Sequence, residues 1–319
     1  MNSLQEIAKH LQTCRSVLVT AHLAPDGDSI GSTVAMGFAL EKLGCKVTMF
    51  SIDGVPERYR FLAGTEKIIG YSLPETVFDC VLALDCADHL RLFPIWEQIK
   101  NNFIINVDHH STNELFGQLN YIDHKAAATG ELVFALLQEL NIPLDSVIAE
   151  SLYVAISTDT GSFKFESTTP QTHIIASKLL AAGVNPGLIT PRLFDLRSVA
   201  ALQILKRALC SLKISADGKI AWMVLRKEDM QEAAATGDDL DGVVNYAKNI
   251  EGVDVGVLFR EQEDGTVKIG FRSQNADVAK IASKFGGGGH LRASGCSLSS
   301  NLEEAVEIII AAVREEISG

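Results

Sequence analysis

The sequence predicts an α/β protein in which a doubly wound, mostly parallel sheet is followed by a smaller α/β domain. A chain of 319 residues is long enough to form two hydrophobic cores. In the first half, short apolar runs alternate with segments of helical periodicity, as in βαβ units. From about residue 211 the pattern changes to strands paired across short turns. We therefore expect a first domain over residues 1–190, a linker helix region over 191–210 and a second domain over 211–319.

The predicted strands of the first domain are short runs rich in β-branched and other apolar residues. They cover residues 16–21, 46–51, 77–85 and 102–108. Gly44 and Gly183 end two of the predicted helices, as glycine commonly does. The helical segments cover residues 28–44, 93–100, 127–140, 145–157, 169–183 and 198–212.

The second domain is predicted to contain two hairpins, because ADGK at 216–219 and EDGT at 263–266 are turn sequences between strand-like runs. The glycine-rich segment FGGGGHLRASG follows at 285–295. A helix over 302–317, LEEAVEIIIAAVREEI, is the last predicted element.

The composition argues against several classes of protein. With 47% hydrophobic and 21% charged residues, the chain resembles an ordinary globular protein, and no apolar run is long enough to span a bilayer. The first sixteen residues form an amphipathic pattern without the apolar core of a signal peptide, so we expect a cytoplasmic protein without a membrane partner. Six scattered cysteines indicate free thiols in a reducing compartment. The net charge of −12, without a basic stripe, argues against long duplex nucleic acid as a partner.

Acids and histidines follow four predicted elements of the first domain, at the point where each element ends. In an open parallel sheet the carboxyl ends of the strands meet at one crevice, so residues far apart in sequence converge there. Taken singly, each has an ordinary explanation as a surface turn or a helix cap. The residues are His22, Asp26 and Asp28, then Asp85, then Asp108, His109 and His110, and finally Asp159 after the helix-like segment 145–157.

So many converging carboxylates predict a cation site. Burying them together is costly unless counter-charges neutralise them. Imidazole and carboxylate ligands without thiolate suit Mn²⁺, Mg²⁺, Fe²⁺ or Zn²⁺. The ligands exceed the needs of one ion, so we predict two divalent ions about 3.5–4 Å apart, bridged by a carboxylate. This is the arrangement used for in-line attack on phosphorus.

At these positions the chain resembles a known family. HLAPDGDSIGS at 22–32, the acid of LALD at 82–85, VDHHS at 107–111 and STDTGSF at 157–163 are similar to the four motifs of the DHH phosphoesterase superfamily. GFRS at 270–273 and the segment FGGGGHLRASG resemble the DHH-associated domain. The resemblance covers nearly the whole chain and is greatest to the compact nanoRNase/pAp phosphatase (NrnA-like) branch.

The resemblance implies roles for the residues of the first domain. One metal ion would be held by His22, Asp26 and Asp85, and the other by Asp28, Asp85, His109 and Asp159, with Asp85 bridging. His110 would lie beside the scissile phosphate as a hydrogen-bond donor or proton carrier, and Asp108 would orient one of the two adjacent histidines. Mn²⁺ is the usual activator in the family. Lys164 stands where related enzymes often carry arginine, which argues against a bidentate phosphate contact there but leaves a point-charge contact.

The resemblance also makes the second domain the substrate reader, with a cleft between the domains that sets substrate length. Glycines let the backbone approach a nucleotide and offer amide donors, whereas the alternative interpretation of this segment is a flexible loop. His290 would stack on a base or bind a phosphate, and Arg272 and Arg292 would bind the terminal phosphate. The full predicted set is Arg272, Ser273, Gly286, Gly287, Gly288, Gly289, His290 and Arg292.

The implied activity is metal-dependent hydrolysis of short oligoribonucleotides to mononucleotides, dephosphorylation of 3′-phosphoadenosine 5′-phosphate (pAp), or both. Linear or cyclic dinucleotides of the di-AMP type are the alternative substrates. A catalytically silent nucleotide-binding protein is the alternative outside the enzymes, although such a protein is expected to lack a metal ligand, and all are present here. The family also suggests a homodimer.

Overall fold

The computed structural model of the protein describes residues 1–318 and divides the chain into two units. The first unit is Met1–Leu196, and the second begins at Arg197. Each unit has a six-stranded sheet with apolar side chains buried on both of its faces.

The first unit alternates strands and helices. Its strands are β1 (Ser16–Ala21), β2 (Lys46–Ser51), β3 (Ile69–Gly70), β4 (Cys80–Leu84), β5 (Ile104–Asp108) and β6 (Leu119–Ile122). Its helices are α1 (Leu4–Leu11), α2 (Gly27–Lys42), α3 (Trp96–Ile99), α4 (Thr129–Glu139), α5 (Ser146–Asp159), α6 (Pro170–Ala181) and α7 (Pro186–Thr190). Short 3₁₀ turns cover Glu57–Tyr59, Thr65–Lys67 and His89–Leu92, and a π-helical turn covers Pro191–Asp195.

The sheet of the first unit has the strand order β3-β2-β1-β4-β5-β6, and all its pairs are parallel. The chain winds outward from β1 to β3 and then returns to the other side of β1. The direction of winding therefore reverses between β1 and β4. Open sheets bind ligands at such a point, beyond the carboxyl ends of the strands.

The central strands are apolar throughout because both of their faces are covered. Val17 and Val19 of β1 face a core formed with α1, α2, α4 and α5. Leu18, between them, faces a second core that contains Phe50 and side chains of the segment that includes α3. The alternation of faces along a strand thus explains why the run SVLVTA has no polar side.

Helices α2 and α5 pack at unusually close range, because glycine stands at the contact. A Cβ atom added at Gly31 would lie 2.3 Å from the backbone oxygen of Ser151 and 3.0 Å from the Cβ atom of Ala155. Real Cβ atoms do not approach a backbone oxygen so closely, so any larger residue at this position must push the helices apart.

We expect the substitution Gly31→Ala to destabilise the first unit by about 3 kcal/mol, because the methyl group has no room beside Ser151. The free energy of unfolding in urea measures the effect. The matched control is Gly270→Ala in the second unit, where an added Cβ meets no atom within 4 Å. Equal stability of the two variants would contradict the argument from close packing.

The second unit combines hairpins with helices. Its strands are β7 (Lys213–Ile214), β8 (Ile220–Leu225), β9 (Val255–Glu261), β10 (Val267–Ser273), β11 (Gly288–His290) and β12 (Ala293–Leu298). Its helices are α8 (Val199–Cys210), α9 (Lys227–Glu232), α10 (Val243–Lys248), α11 (Val278–Ser283) and α12 (Leu302–Ser318). The sheet order is β11-β12-β10-β9-β8-β7, and β8 and β9 are parallel whereas the other pairs are antiparallel.

The predicted fold class is confirmed: a parallel α/β sheet precedes a smaller mixed α/β sheet. Both predicted hairpins are present, β7–β8 and β9–β10. The sequence did not predict the edge strands β3 and β6, or the parallel pairing of β8 with β9. The helix Val199–Cys210, which the sequence places in a linker region, belongs to the second unit and contributes Ile204 and Ala208 to its core.

Among residues 1–318, no single helix has both the length and the apolar character needed to cross a membrane. One bent pair, Pro170–Ala181 with Pro186–Asp195, passes the same test of length and composition when taken together.

Candidate metal centre

The predicted ligands meet at the carboxyl edge of the parallel sheet. β1, β4 and β5 are neighbours in the sheet, and their ends deliver His22, Asp85 and Asp108. Asp159 is the last residue of helix α5, which agrees with the helix-like segment that the sequence predicts before it. The close packing of α2 against α5 carries Asp159 to the same place as Asp28.

Asp85 is the central residue of the site. It is 1% exposed, and its backbone adopts a positive φ of 54°, which is uncommon for a residue other than glycine. Its Oδ2 lies 3.3 Å from Nε2 of His22, and its Oδ1 lies 3.6 Å from Nε2 of His109. The Thr129 hydroxyl donates to Oδ1 at 3.1 Å. The two carboxylate oxygens therefore face two different imidazoles.

The first group of donors is His22, Asp26 and Asp85, whose ligand atoms lie within 4.8 Å of one another. Asp26 caps helix α2 by accepting from the backbone N–H of Ser29 at 3.0 Å. Its other carboxylate oxygen, Oδ2, lies 3.7 Å from Nε2 of His22. Asp26 thus caps the helix and faces the site at the same time.

The second group is Asp28, His109 and Asp159, whose ligand atoms also lie within 4.8 Å of one another. Nε2 of His109 is 3.2 Å from Oδ2 of Asp159 and 4.0 Å from Oδ2 of Asp28. Asp28 is fully buried, and it accepts from the backbone N–H groups of Thr129 and Gly130 at 2.6 and 2.8 Å. Because these amides belong to the first turn of α4, the helix N-terminus fixes the position of Asp28.

Asp108 orients His110. Its Oδ1 accepts from Nδ1 of His110 at 2.7 Å and from the backbone N–H of His109 at 2.8 Å. Its Oδ2 accepts from the side-chain amide of Asn113 at 2.7 Å. The sequence left open which histidine Asp108 orients, and this contact indicates His110. Nε2 of His110 therefore stays available to a ligand.

The charges and the burial of the site together raise the pKa values of two histidines and of one aspartate. Burial lowers the pKa of His22, but the hydrogen bonds and charges of Asp26 and Asp85 outweigh burial and raise this pKa to about 10. Burial also lowers the pKa of His109, but the carboxylates of Asp159, Asp28 and Asp85 outweigh this effect and raise the pKa to about 10. Burial and the charge of Asp85 raise the pKa of Asp28 well above its ordinary value.

The donor set fits divalent cations. Asp28 and Asp85 are almost fully buried, yet Arg91 is the one arginine or lysine whose side chain bonds to a member of the two groups among residues 1–318. Only protons or bound cations can neutralise such a cluster. Imidazole nitrogens and carboxylate oxygens without thiolate are the ligands of Mn²⁺, Mg²⁺, Fe²⁺ or Zn²⁺.

We expect cation binding to release protons, because a ligating imidazole must be neutral and the pKa values of His22 and His109 are about 10 in the metal-free protein. Near pH 8 both imidazoles carry a proton that binding must displace, so affinity should rise as pH increases towards 10. Calorimetric Mn²⁺ titrations in two buffers of different ionisation enthalpy should count about two protons. His22→Gln should release about one fewer, and identical enthalpies in both buffers would contradict the expectation.

Sequence reasoning missed three residues that contact the site. Thr129 bonds to Asp85, Asn113 bonds to Asp108, and a guanidinium nitrogen of Arg91 lies 2.9 Å from Nδ1 of His22. The signal for Arg91 was a lone arginine in the segment CADHLRLF, shortly after Asp85. Thr129 and Asn113 carry no comparable signal, because threonine at a helix start and asparagine in a turn are ordinary.

The predicted substrate-binding residues lie together in the second unit. Arg272 is the last but one residue of β10 and pairs in register with Ala293 of β12, next to exposed Arg292. Ser273 is buried, and its hydroxyl donates to the backbone oxygen of Ala276 at 2.6 Å, which is a contact within the unit. These residues and the glycine-rich segment lie on or beside β10, β12 and β11, and β11 is the edge strand of the second sheet.

The glycine-rich segment is partly a strand rather than a loop, since Gly288–His290 pairs with β12. Gly286 and Gly289 have φ values of 71° and 138°, which favour glycine. A Cβ atom at Gly287 would lie 2.2 Å from the backbone oxygen of Gly295. Backbone conformation thus favours glycine at positions 286 and 289, and close packing requires it at position 287. His290 is exposed on the edge strand β11.

A parallel α/β sheet that gathers two linked groups of imidazoles and carboxylates at its carboxyl edge defines a phosphoesterase that uses divalent cations. The chain belongs to the DHH family. Residues 16–156 match the DHH family N-terminal domain, and residues 217–318 match the DHHA1 domain.

Relatives match over nearly the whole chain. The bifunctional oligoribonuclease and PAP phosphatase NrnA of Thermus thermophilus is 34% identical over 95% of this chain and 90% of its own. The protein of the same name from Bacillus subtilis is 24% identical over 92% of this chain and 93% of its own. The crystal structure of an exopolyphosphatase-related protein from Bacteroides fragilis superposes with a TM-score of 0.91 and 25% identity, covering 98% and 95% of the two chains.

Proposed function

We propose that this protein hydrolyses short oligoribonucleotides to mononucleotides and removes the 3′-phosphate of pAp, using two divalent cations of which Mn²⁺ is the preferred one. The single observation that carries the proposal is the placement of Asp85, whose two oxygens face the imidazoles of two separate donor groups. Relatives similar over more than nine-tenths of this chain are named for these two activities.

The proposed ligands follow the two groups. His22, Asp26 and Asp85 would hold one cation, and Asp28, Asp85, His109 and Asp159 would hold the other. The cations, when bound, supply Lewis acidity and a water of lowered pKa. Asp28 and Asp85 are held by the first turn of α4 through Thr129 and Gly130, so the ligands are oriented before a cation arrives.

His110 is the proposed proton carrier for the departing oxygen. Its hydrogen bond to Asp108, together with the charge of that carboxylate, raises the pKa of His110 and keeps the imidazole protonated over a wider pH range. The same bond holds the ring in one orientation, with Nε2 directed away from Asp108. A protonated imidazole in this position can donate to a phosphate oxygen or to the leaving hydroxyl.

In the second unit, the surface near Arg272, His290 and Arg292 is the proposed nucleotide-binding surface. No carboxylate of residues 1–318 pairs with these two arginines within 4 Å, and their side chains bond only to backbone oxygens. Guanidinium groups that have no carboxylate partner are suited to binding phosphate. The open edge of Gly288–His290 offers backbone amides beside them.

The test is turnover with Mn²⁺ on a matched panel: pAp, a 5′-phosphorylated RNA dinucleotide, a 5-mer, a 24-mer and cyclic di-AMP. We expect mononucleotide release from the two short RNAs, phosphate release from pAp and slow turnover of the 24-mer. Preference for cyclic or linear di-AMP species would replace the proposal with a dinucleotide phosphodiesterase. Nucleotide binding without turnover of any substrate would overturn the enzyme assignment.

A further inference from the structure

Arg91 is built into the metal centre although it lies outside the family motifs considered above. It belongs to the 3₁₀ turn His89–Leu92, which follows β4, and Asp88 caps this turn by accepting from the backbone N–H of Arg91. The backbone oxygen of Arg91 accepts from the N–H of Leu23 at 2.9 Å. The turn is therefore tied directly to the segment that carries His22.

The Arg91 guanidinium is half-buried and lacks an anionic partner. Its Nη2 lies 2.9 Å from Nδ1 of His22 and 3.4 Å from the backbone oxygen of Leu23. Among residues 1–318 no carboxylate lies within 4 Å of it, even though the opposite edge of the same imidazole faces Asp26 and Asp85. A half-buried arginine in an acidic site normally pairs with a carboxylate. The guanidinium of Arg91 is therefore available to bind another anion.

The contact between Arg91 and His22 cannot be a hydrogen bond when His22 binds a cation through Nε2. An imidazole that gives its Nε2 lone pair to a cation carries its hydrogen on Nδ1. The backbone oxygen of Leu23, at 2.7 Å, is the acceptor for that hydrogen. Arg91 has only donors, so Nδ1 then offers it nothing, and its guanidinium must find a different acceptor beside the loaded site.

We propose that Arg91 binds a non-bridging phosphate oxygen of the substrate once His22 holds its cation. The inference rests on the proposed function, because it names a further substrate-binding residue for that reaction. Arginine suits this role, since its planar fork of donors matches a phosphate and it is always charged. It would bring a positive charge to a phosphate beside His22, in addition to His110, which Asp108 of β5 orients.

The competing interpretation is that Arg91 only positions His22. The two roles differ in their effect on cation binding. A positioning residue would strengthen cation binding, so the variant Arg91→Ala would bind Mn²⁺ more weakly. A phosphate-binding residue adds only a positive charge beside the cation site in the substrate-free protein, so the same variant would bind Mn²⁺ equally well or more tightly.

The experiment uses the full chain and two equilibrium measurements. Mn²⁺ affinity is measured by titration without nucleotide, and AMP affinity is measured in saturating Mn²⁺, with adenosine as the probe that lacks a phosphate. The variants are Arg91→Ala and Arg91→Lys. Arg60→Ala is the matched control, because Arg60 is 62% exposed and pairs with Glu57 in a turn of the same unit. Circular dichroism establishes that each variant is folded.

We expect Arg91→Ala to weaken AMP binding by about tenfold or more, as for a lost charged hydrogen bond, without weakening Mn²⁺ or adenosine binding. Arg91→Lys should retain part of the AMP affinity, because it keeps the charge but not the fork. Weaker Mn²⁺ binding in both variants, or unchanged AMP binding, would overturn the inference. AMP binding does not require turnover, so the substrate panel can fail while this result stands, and the reverse also holds.

Discussion

Replacing Asp85 by asparagine is expected to lower turnover of the short RNAs and pAp by about 10³-fold or more, and to abolish high-affinity binding of two cations. Among residues 1–318, Asp85 is the one carboxylate that faces both His22 and His109, so its loss removes a ligand from both donor groups at once. Turnover in saturating Mn²⁺ and the number of bound ions, measured by metal analysis after dialysis, check the two parts of the prediction.

The matched control is Asp238→Asn, which makes the same chemical change at an exposed position of the second unit. It should leave both readouts unchanged. Two tightly bound ions and near-native turnover in Asp85→Asn would show that the two groups work as separate sites. The proposed reaction would then need a different bridging residue.

Replacing His110 by alanine is expected to lower kcat by about 10² to 10³-fold while Mn²⁺ binding stays within a few-fold of native. The imidazole is held by Asp108 through Nδ1, whereas His109 points its Nε2 at the second donor group, so the two adjacent histidines should have different roles. His124→Ala is the matched control, because that histidine is exposed. Loss of a bound ion in His110→Ala would instead make His110 a ligand.

A companion variant tests the cause of this effect. Asp108 raises the pKa of His110, so the protonated donor form persists to higher pH than for an ordinary histidine. In Asp108→Asn this pKa should fall, and the alkaline loss of kcat should begin at a lower pH. We also expect kcat to fall by about 10- to 100-fold, as for other groups that orient an active-site histidine. An unchanged pH profile of kcat would show that Asp108 does not control the pKa of His110.

Much of the site was predictable because strand ends are predictable. Apolar runs of β-branched residues identified β1, β4 and β5, and the rule that parallel strands end at one edge brought His22, Asp85 and Asp108 together. The edge strands β3 and β6 were missed because they are short: β3 has only two residues, and β6 is the four-residue segment LNYI. Short segments carry too little periodicity to be recognised.

The fold class, the donor chemistry and the family follow from local patterns of the sequence: apolar runs, strand-end acids and four ordered motifs. Which groups touch one another depends instead on the tertiary structure. It places Asp159, at the end of α5, beside Asp28 near the start of α2, and Gly31 lets these two helices pack closely. It also brought the guanidinium of Arg91 to His22 across 69 residues. Hydrogen bonds between distant residues depend on distances of a few tenths of an ångström, and only packing sets these.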